Sequence, residues 1–153
     1  MEVRPWRHGD QALLISAQRD LSPASLSSRF FVGLSTLPVK YLRYVAHAPR
    51  ERWDAQLAIQ HDRLLGWAEF ARTAARPDEA DLAVLVIDAW RRRGVATALL
   101  TAMLPRAAAA GVRVLHADIE PRNTAARAMI KKASGGRLTA AYEDGLLHYR
   151  MCL

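Results

Sequence analysis

Alternating apolar and polar positions predict a β-hairpin in the middle of the chain. Residues Trp53 to Ile59 alternate with a period of two, residues Leu65 to Ala71 do the same, and His61-Asp62-Arg63 between them suits a turn. A near-continuous apolar run from Ala80 to Ile87 follows, as expected of a central strand. The polar stretch from Thr73 to Glu79 predicts a loop between the hairpin and this strand.

Capping residues and shorter apolar segments predict the remaining elements. Further strands are expected at Val3 to Trp6, Val112 to Ile119, Arg137 to Tyr142 and Leu146 to Met151, the last two joined at Asp144-Gly145. Helices are expected after Asp10, after Ser22, from Pro38, from Val95 to Ala110 and from Asn123 to Lys132. Pro105 lies inside the fourth of these helices and should kink it or end it early.

The composition is that of one ordinary globular domain, residues 1–153. With 51% hydrophobic and 24% charged residues the chain can bury a full core, which excludes intrinsic disorder. Cys152 is the single cysteine and the five histidines show no metal-ligand spacing, so we expect neither an intrachain disulfide nor a bound metal. No apolar segment approaches the roughly 18 residues of a membrane span, and none resembles a signal peptide. We therefore expect a cytoplasmic protein, monomeric or homodimeric, with no membrane partner.

The charge balance favours anionic partners. The chain has 22 basic and 15 acidic residues, which gives a net charge of +7. Only three of the basic residues are lysine, and the other 19 are arginine. Arginine suits phosphate contacts, so a nucleic-acid-binding module is one function class to consider. The arginines are dispersed, however, and no recognition helix or aromatic binding strand accompanies them, so nucleic acid is not the expected partner.

The segment from Asp88 to Thr97 carries the clearest chemical signal. It joins the apolar strand to the helix that begins at Val95, through three arginines and Gly94. Backbone N–H groups at a helix start attract anions, and the small residues Gly94 and Ala96 let phosphate oxygens approach closely. The spacing is neither that of a Walker loop nor that of a dinucleotide fingerprint. The sequence therefore predicts a phosphate-binding turn of another kind.

This turn and its surroundings resemble a known family. Arg91-x-x-Gly94-x-Ala96 is similar to the Arg/Gln-x-x-Gly-x-Gly/Ala signature of the GNAT acetyltransferase superfamily, and the strand at 112–119 and the helix opened by Asn123 follow in that family's order. The resemblance implies a mixed α/β fold, in which a mostly antiparallel sheet is flanked by helices and its fourth and fifth strands splay apart. It also implies acetyl-CoA as the co-substrate.

The same resemblance assigns the acetyl-CoA contacts. The pyrophosphate is expected on the arginine turn, and the pantetheine arm is expected to bind the splayed fourth strand like an additional strand. The residues implied are Val84, Leu85, Val86, Arg91, Arg92, Arg93, Gly94, Val95, Ala96, Thr97 and Asn123.

A narrower likeness concerns the acceptor. The segment Leu21 to Phe31, Ala80-Asp81 with the apolar run after it, and Asp88 to Arg91 resemble bacterial protein lysine acetyltransferases that modify acyl-CoA synthetases. The likeness implies direct transfer of the acetyl group to a protein lysine. A small amine of the aminoglycoside or polyamine type is the alternative acceptor, although a chain of charge +7 repels polycations unless its acidic residues cluster at the cleft.

The reaction requires a general base. A lysine ammonium with a pKa near 10.4 cannot attack a thioester until it loses a proton, and a carboxylate can accept that proton. Asp81 stands where the lysine acetyltransferases usually have a glutamate base, and Glu69 and Glu79 are competing candidates. The sequence leaves the choice among the three open.

The family's usual acid is missing. Many members place a tyrosine seven residues after the motif asparagine to protonate the leaving thiolate, and here that position is Ile130. Tyr142 or Tyr149 could substitute, or no acid is needed, since a thiolate with a pKa of about 8.5 is a tolerable leaving group. The missing acid also leaves open a subunit that binds CoA without turning it over.

Overall fold

Seven strands form one mixed sheet in the computed structural model, which describes all residues 1–153. The strands are β1 Glu2–Pro5, β2 Trp53–Gln60, β3 Arg63–Thr73, β4 Arg76–Val86, β5 Val114–Ile119, β6 Leu138–Glu143 and β7 Leu146–Cys152. Their order across the sheet is β1-β2-β3-β4-β5-β7-β6, and every neighbouring pair is antiparallel except β4 with β5. The expected mixed α/β fold is confirmed.

Five α-helices flank the sheet. They are α1 Gln11–Ala17, α2 Pro23–Phe30, α3 Val39–His47, α4 Val95–Ala109 and α5 Thr124–Ser134. Helix α2 begins where the sequence predicts, because Pro23 occupies its first turn and the Ser22 hydroxyl accepts a hydrogen bond from the Ser25 N–H at 3.1 Å. None of the helices is both long enough and apolar enough to cross a membrane.

A hydrophobic core lies on each face of the sheet. On one face α4 buries Leu99 and Met103 against strand residues such as Phe70. On the other face α1, α2 and α3 pack against a group that includes Trp53 and Trp67. Removing apolar surface from water contributes about 25 cal/mol per Å², so burial on both faces stabilises the sheet.

The parallel pair β4 and β5 is joined over only a short length. Register pairs run from Glu79 with Val114 to Asp81 with His116. Beyond that point β4 continues to Val86 and β5 to Ile119 with no pairing between them. The two strands therefore splay apart, as the family resemblance implies.

Two local expectations are wrong, and one of the two outcomes expected of Pro105, an early end of the helix, does not occur. Residues Thr73 to Glu79 are not a loop: β3 and β4 extend into a hairpin whose turn is only Ala74-Ala75. Asp10 precedes α1 without capping it, because its carboxylate binds Arg4 and the Arg7 N–H instead. Pro105 does not end α4, which continues to Ala109 because the core holds Met103 and Ala107 on either side of it.

Candidate active site

The splayed strands open a cleft of about 850 Å³. The fork at its base is formed by Asp81 and His116, and α4 and α5 contribute the upper walls. Ten of the eleven residues expected to contact acetyl-CoA line it: Val84, Leu85, Val86, Arg91, Arg92, Gly94, Val95, Ala96, Thr97 and Asn123.

The first turn of α4 is suited to bind an anion. Gly94 is the N-cap residue, in the left-handed conformation with φ at +81°, and no side chain caps the helix. The N–H groups of Val95 to Thr97 therefore have no intrahelical partner. A β-carbon at Gly94 would meet no atom within 4 Å, so the space beside this turn is open. These features fit the pyrophosphate of acetyl-CoA.

The three arginines of the turn have different surroundings. Arg91 donates to the Ser25 hydroxyl, which in turn donates to Asp88 at 2.7 Å, and this links the turn to α2. Burial works to raise the pKa of Asp88, but hydrogen bonds from Ser25 and Ser22 outweigh it and hold that pKa below its usual value. Arg93 does not line the cleft; its guanidinium lies over the Trp90 ring, 5.1 Å from the centroid.

Asn123 opens α5 and faces the cleft. Its Oδ1 accepts the Ala126 N–H at 3.2 Å, so only its amide NH₂ is left to donate to a ligand. Ile130, further along the same helix, is buried in the core beside the cleft. Neither tyrosine considered as a substitute acid lines the cleft: Tyr142 is exposed on β6, and Tyr149 is buried beneath α5.

Glu69 is buried and already fully engaged. Its two oxygens accept hydrogen bonds from Arg29 and Tyr41, and Trp67 Nε1 donates to it at 3.2 Å. Burial works to lower the pKa of Arg29, but the charge of Glu69 outweighs it and raises that pKa. Burial and the same carboxylate hold the Tyr41 pKa well above its usual value. This arrangement joins α2 and α3 to the sheet and leaves Glu69 poorly placed to receive a further proton.

Asp81 and Glu79 lie on the same face of β4. Asp81 is exposed to the cleft, and none of the side-chain hydrogen bonds involves it. Glu79 does not line the cleft and is bound by His116 at 2.7 Å and by Arg76 at 3.3 Å. These two hydrogen bonds, that from His116 foremost, hold the pKa of Glu79 below its usual value. Of the three candidate bases, Asp81 alone combines access to the cleft with an unengaged carboxylate.

Two histidines that appear scattered in the sequence meet on this face. His116 Nδ1 lies 3.1 Å from His148 Nε2, and His148 Nδ1 lies 2.6 Å from Asp118. The sequence holds one local signal, the i, i+2 spacing of His116 and Asp118, which places both on one face of β5. Their meeting with His148 depends on the pairing of β5 with β7. No group of three or more metal-ligating side chains is arranged to hold a metal ion.

Comparison with known proteins agrees with this geometry. The model of the acetyltransferase (GNAT) family matches residues 22–135, more than half of the chain. The GNAT domain of S. lividans PAT is similar with a TM-score of 0.89 at 28% identity, over 99% of this chain and 89% of that one. No curated protein sequence matches this chain significantly.

Two further solved structures share the fold at lower identity. One is ribosomal-protein-alanine N-acetyltransferase from Brucella melitensis, with a TM-score of 0.78 and 18% identity over the whole of both chains. The other is yncA from Salmonella typhimurium, solved with its cofactor acetyl-CoA, with a TM-score of 0.76 and 17% identity over 99% of this chain and 92% of that one.

Proposed function

Because this chain belongs to the acetyltransferase (GNAT) family and is an acetyl-CoA-dependent N-acetyltransferase, we propose that its acceptor is a lysine side chain of a folded protein, such as an acyl-CoA synthetase. The likeness of residues 21–31 and 80–91 to protein lysine acetyltransferases supports this acceptor. So does the similarity to the GNAT domain of S. lividans PAT over nearly the whole chain.

The charge of the cleft supports a cationic acceptor, and the apolar rim beside it carries the choice of a protein lysine. The chain as a whole has a net charge of +7. Yet the side of the cleft at the β4–β5 fork, which we call the acceptor face because the amine is expected there, presents Asp81 and Asp118, with Glu79 beside them. Arg91 and Arg92 lie instead at the α4 end, where the phosphates are expected. The cleft therefore offers a positive end to an anionic co-substrate and a negative end to a cationic acceptor.

An apolar rim beside the acidic face supports a protein acceptor. Phe31 lines the cleft and is 43% exposed, and the adjacent Val32 is 56% exposed. Phe31 ends α2 with φ at +61°, a conformation that is unusual for a bulky residue and places its ring at the cleft. A folded protein can cover these side chains, whereas a small polar amine cannot.

We assign roles to the residues as follows. The amides of Val95 to Thr97 and the Arg91 and Arg92 side chains bind the diphosphate, while the β4 backbone at Val84 to Val86 binds the pantetheine arm. Asp81, directly or through water, accepts a proton from the lysine ammonium. Acetyl-CoA supplies the activated thioester carbon, to which the amine nitrogen bonds as the carbon–sulfur bond breaks. The thiolate leaves without an acid, because Ile130 cannot donate a proton.

The acidic face equally favours a second candidate acceptor. The carboxylates of Asp81, Asp118 and the neighbouring Glu79 suit a polyamine as well as a lysine, and they remove the electrostatic objection that the overall charge raises against polycations. The apolar rim separates the two candidates, since it has no role with a short polyamine.

Acetylation of a bacterial lysate with isotopically labelled acetyl-CoA tests the proposal. We expect mass spectrometry to find label on a lysine of one or a few folded proteins, and no label with the Asp81→Asn variant. The same lysate digested to peptides beforehand should be labelled more slowly, because short peptides cover less of the apolar rim. Labelling of spermidine or another small amine, with no labelled protein, would overturn the lysine assignment and favour the second candidate.

A further inference from the structure

Four side chains on the acceptor face form one continuous hydrogen-bonded chain. Glu79 Oε2 lies 2.7 Å from His116 Nε2, His116 Nδ1 lies 3.1 Å from His148 Nε2, and His148 Nδ1 lies 2.6 Å from Asp118 Oδ1. These four hydrogen-bonded side chains lie on three strands, β4, β5 and β7, and both ring nitrogens of each histidine take part in the hydrogen bonds. Asp118 and His116 line the cleft, whereas Glu79 and His148 lie outside it.

The number of protons in the hydrogen bonds shows that these four side chains can take up one more. Each of the three links needs one proton, and two neutral imidazoles supply only two. If both rings carry their proton on Nε2, His116 donates to Glu79 and His148 donates to His116, and the link between His148 Nδ1 and Asp118 holds no proton. A third proton completes all three links. The added proton can lie at Asp118, between the rings or at Glu79, because the protons of the other two links can move along their hydrogen bonds.

We infer that Asp118, His148, His116 and Glu79 form a proton relay that carries the proton lost by the acceptor amine away from the cleft. This inference rests on the proposed function, since it assumes an ammonium acceptor. The proton leaves the amine for Asp81, passes by way of water in the cleft to Asp118, moves from Asp118 to the unprotonated Nδ1 of His148, and comes to rest on the paired imidazoles. The relay gains one positive charge, and the amine becomes neutral and able to attack the thioester.

The surroundings favour a proton at this place. Both ends of the relay are carboxylates, and the hydrogen bond from His116 keeps Glu79 ionised by holding its pKa low, so an imidazolium would lie between two negative charges. Histidine is the side chain that normally changes charge between pH 5 and 8. Other charged groups on this face are Asp81 on β4, Arg76 at the start of β4 beside Glu79, Arg150 on β7 and Glu143 on β6.

Nuclear magnetic resonance of the full chain labelled with ¹⁵N-histidine tests the shared proton directly. We expect His116 and His148 to titrate in one linked step. Above that step both histidines should be protonated at Nε2, which leaves His148 Nδ1 free to accept the proton from Asp118. His148→Gln should abolish the linked step, whereas His8→Gln, at an exposed residue outside the relay, should leave it unchanged. Independent titration of His116 and His148 in the wild type would overturn the relay.

The pH profile of thiol release, with poly-L-lysine as acceptor, tests whether the relay serves the reaction. His148 is 37% exposed, so His148→Gln should fold, and we expect its kcat to fall about 10-fold or more near pH 7, with recovery at higher pH. His116→Gln should show the same loss of kcat, whereas His8→Gln should have the kcat of the wild type. Added imidazole should partly restore the kcat of His148→Ala. Acetyl-CoA affinity should not change in any variant.

The two proposals fail in different ways. Wild-type protein that leaves poly-L-lysine and lysate proteins unmodified contradicts the lysine acceptor, and the linked titration then decides alone whether the shared proton exists. Acetylation of poly-L-lysine with an unchanged pH profile in His148→Gln and His116→Gln supports the acceptor and overturns the relay.

Discussion

Asp81 and His116 are register partners across β4 and β5, and they form the last pair before the two strands separate. Adjacent strands lie about 4.8 Å apart, so two titratable side chains on one face flank the fork of the cleft. Their surroundings differ: the Asp81 carboxylate makes no side-chain hydrogen bond, whereas His116 is bound to Glu79 and His148. The fork therefore combines an open proton acceptor with a hydrogen-bonded route leading away from it.

Replacing Asp81 should impair catalysis and leave co-substrate binding intact. We expect Asp81→Asn to lower kcat by about 10² to 10⁴, because an amide cannot accept the ammonium proton. Asp81→Glu should retain activity, since it keeps the carboxylate. Thiol release measures the rate, and calorimetry with acetyl-CoA should give an unchanged affinity.

Asp78→Asn is the matched control for Asp81, being an exposed carboxylate three residues earlier on β4. It should have wild-type kinetics. If Asp81→Asn and Asp78→Asn are equally active, Asp81 is not the base.

Gly94 and Gly145 form a natural pair for testing the phosphate turn. Both have φ at +81°, and a β-carbon at either would meet no atom within 4 Å. Alanine at each should therefore cost a similar amount of stability, about 1 to 2 kcal/mol, which is what a left-handed residue with a β-carbon costs. Only Gly94→Ala places a methyl group beside the N–H groups of α4, so only it should weaken acetyl-CoA binding, by about 10-fold, equivalent to ~1.4 kcal/mol.

Calorimetry with acetyl-CoA and urea unfolding of both variants separate the two effects. Equal loss of affinity in Gly94→Ala and Gly145→Ala would mean that the loss comes from destabilisation and not from the phosphate turn.

The phosphate turn could be predicted from the sequence because its signal is local. A strand, three arginines, Gly94 and a helix start lie within a few residues of one another, and each preference acts through neighbours in the chain. The hairpin strands at 53–59 and 65–71 could be predicted for the same reason, since their alternation is read from consecutive residues. The structure nevertheless buries both sets of positions over most of β2 and β3.

The sequence-based predictions that failed, and the side-chain contacts that the sequence did not reveal, depend on contacts between distant segments. Residues Arg76 to Asp78 are all exposed, so this part of β4 lacks the burial that produces an apolar pattern, and it resembles a loop. The engagement of Glu69 requires α2 and α3 to pack over β3. The pairing of His116 with His148 requires the register between β5 and β7, which no spacing in the sequence reveals.

Glu69 should be important for stability. Glu69→Ala leaves the Arg29 guanidinium, whose side chain is only 18% exposed, without its ion-pair partner. Removing one member of such a pair costs about 3 to 5 kcal/mol. Urea unfolding should show this loss, whereas the exposed Glu2→Ala variant should unfold like the wild type. A fully stable but inactive Glu69→Ala protein would contradict this assignment and return Glu69 to the candidate bases.

Asp10 should make the stability of the protein depend on pH in the acid range. Burial works to raise the Asp10 pKa, but Arg4, donating at 2.7 and 2.9 Å, and the Arg7 N–H, donating at 2.6 Å, outweigh it, so the folded-state pKa lies below the ordinary 3.8. A lowered pKa gives stability that is present above the unfolded-state pKa and is lost as pH falls through the folded-state value.

The difference in unfolding free energy between wild type and Asp10→Asn should therefore shrink on acidification. At pH 7 the variant should be less stable by about 1.5 to 3 kcal/mol, the usual contribution of a hydrogen bond to a charged group. As the pH falls below about 3.8, the ordinary aspartate pKa, protonation of Asp10 weakens the same interactions in the wild type, and the two proteins should converge. Urea unfolding at several pH values measures the difference, with Asp62→Asn at the exposed β2–β3 turn as control. A difference that stays constant with pH would show that Asp10 stabilises the fold by its shape and not by its charge.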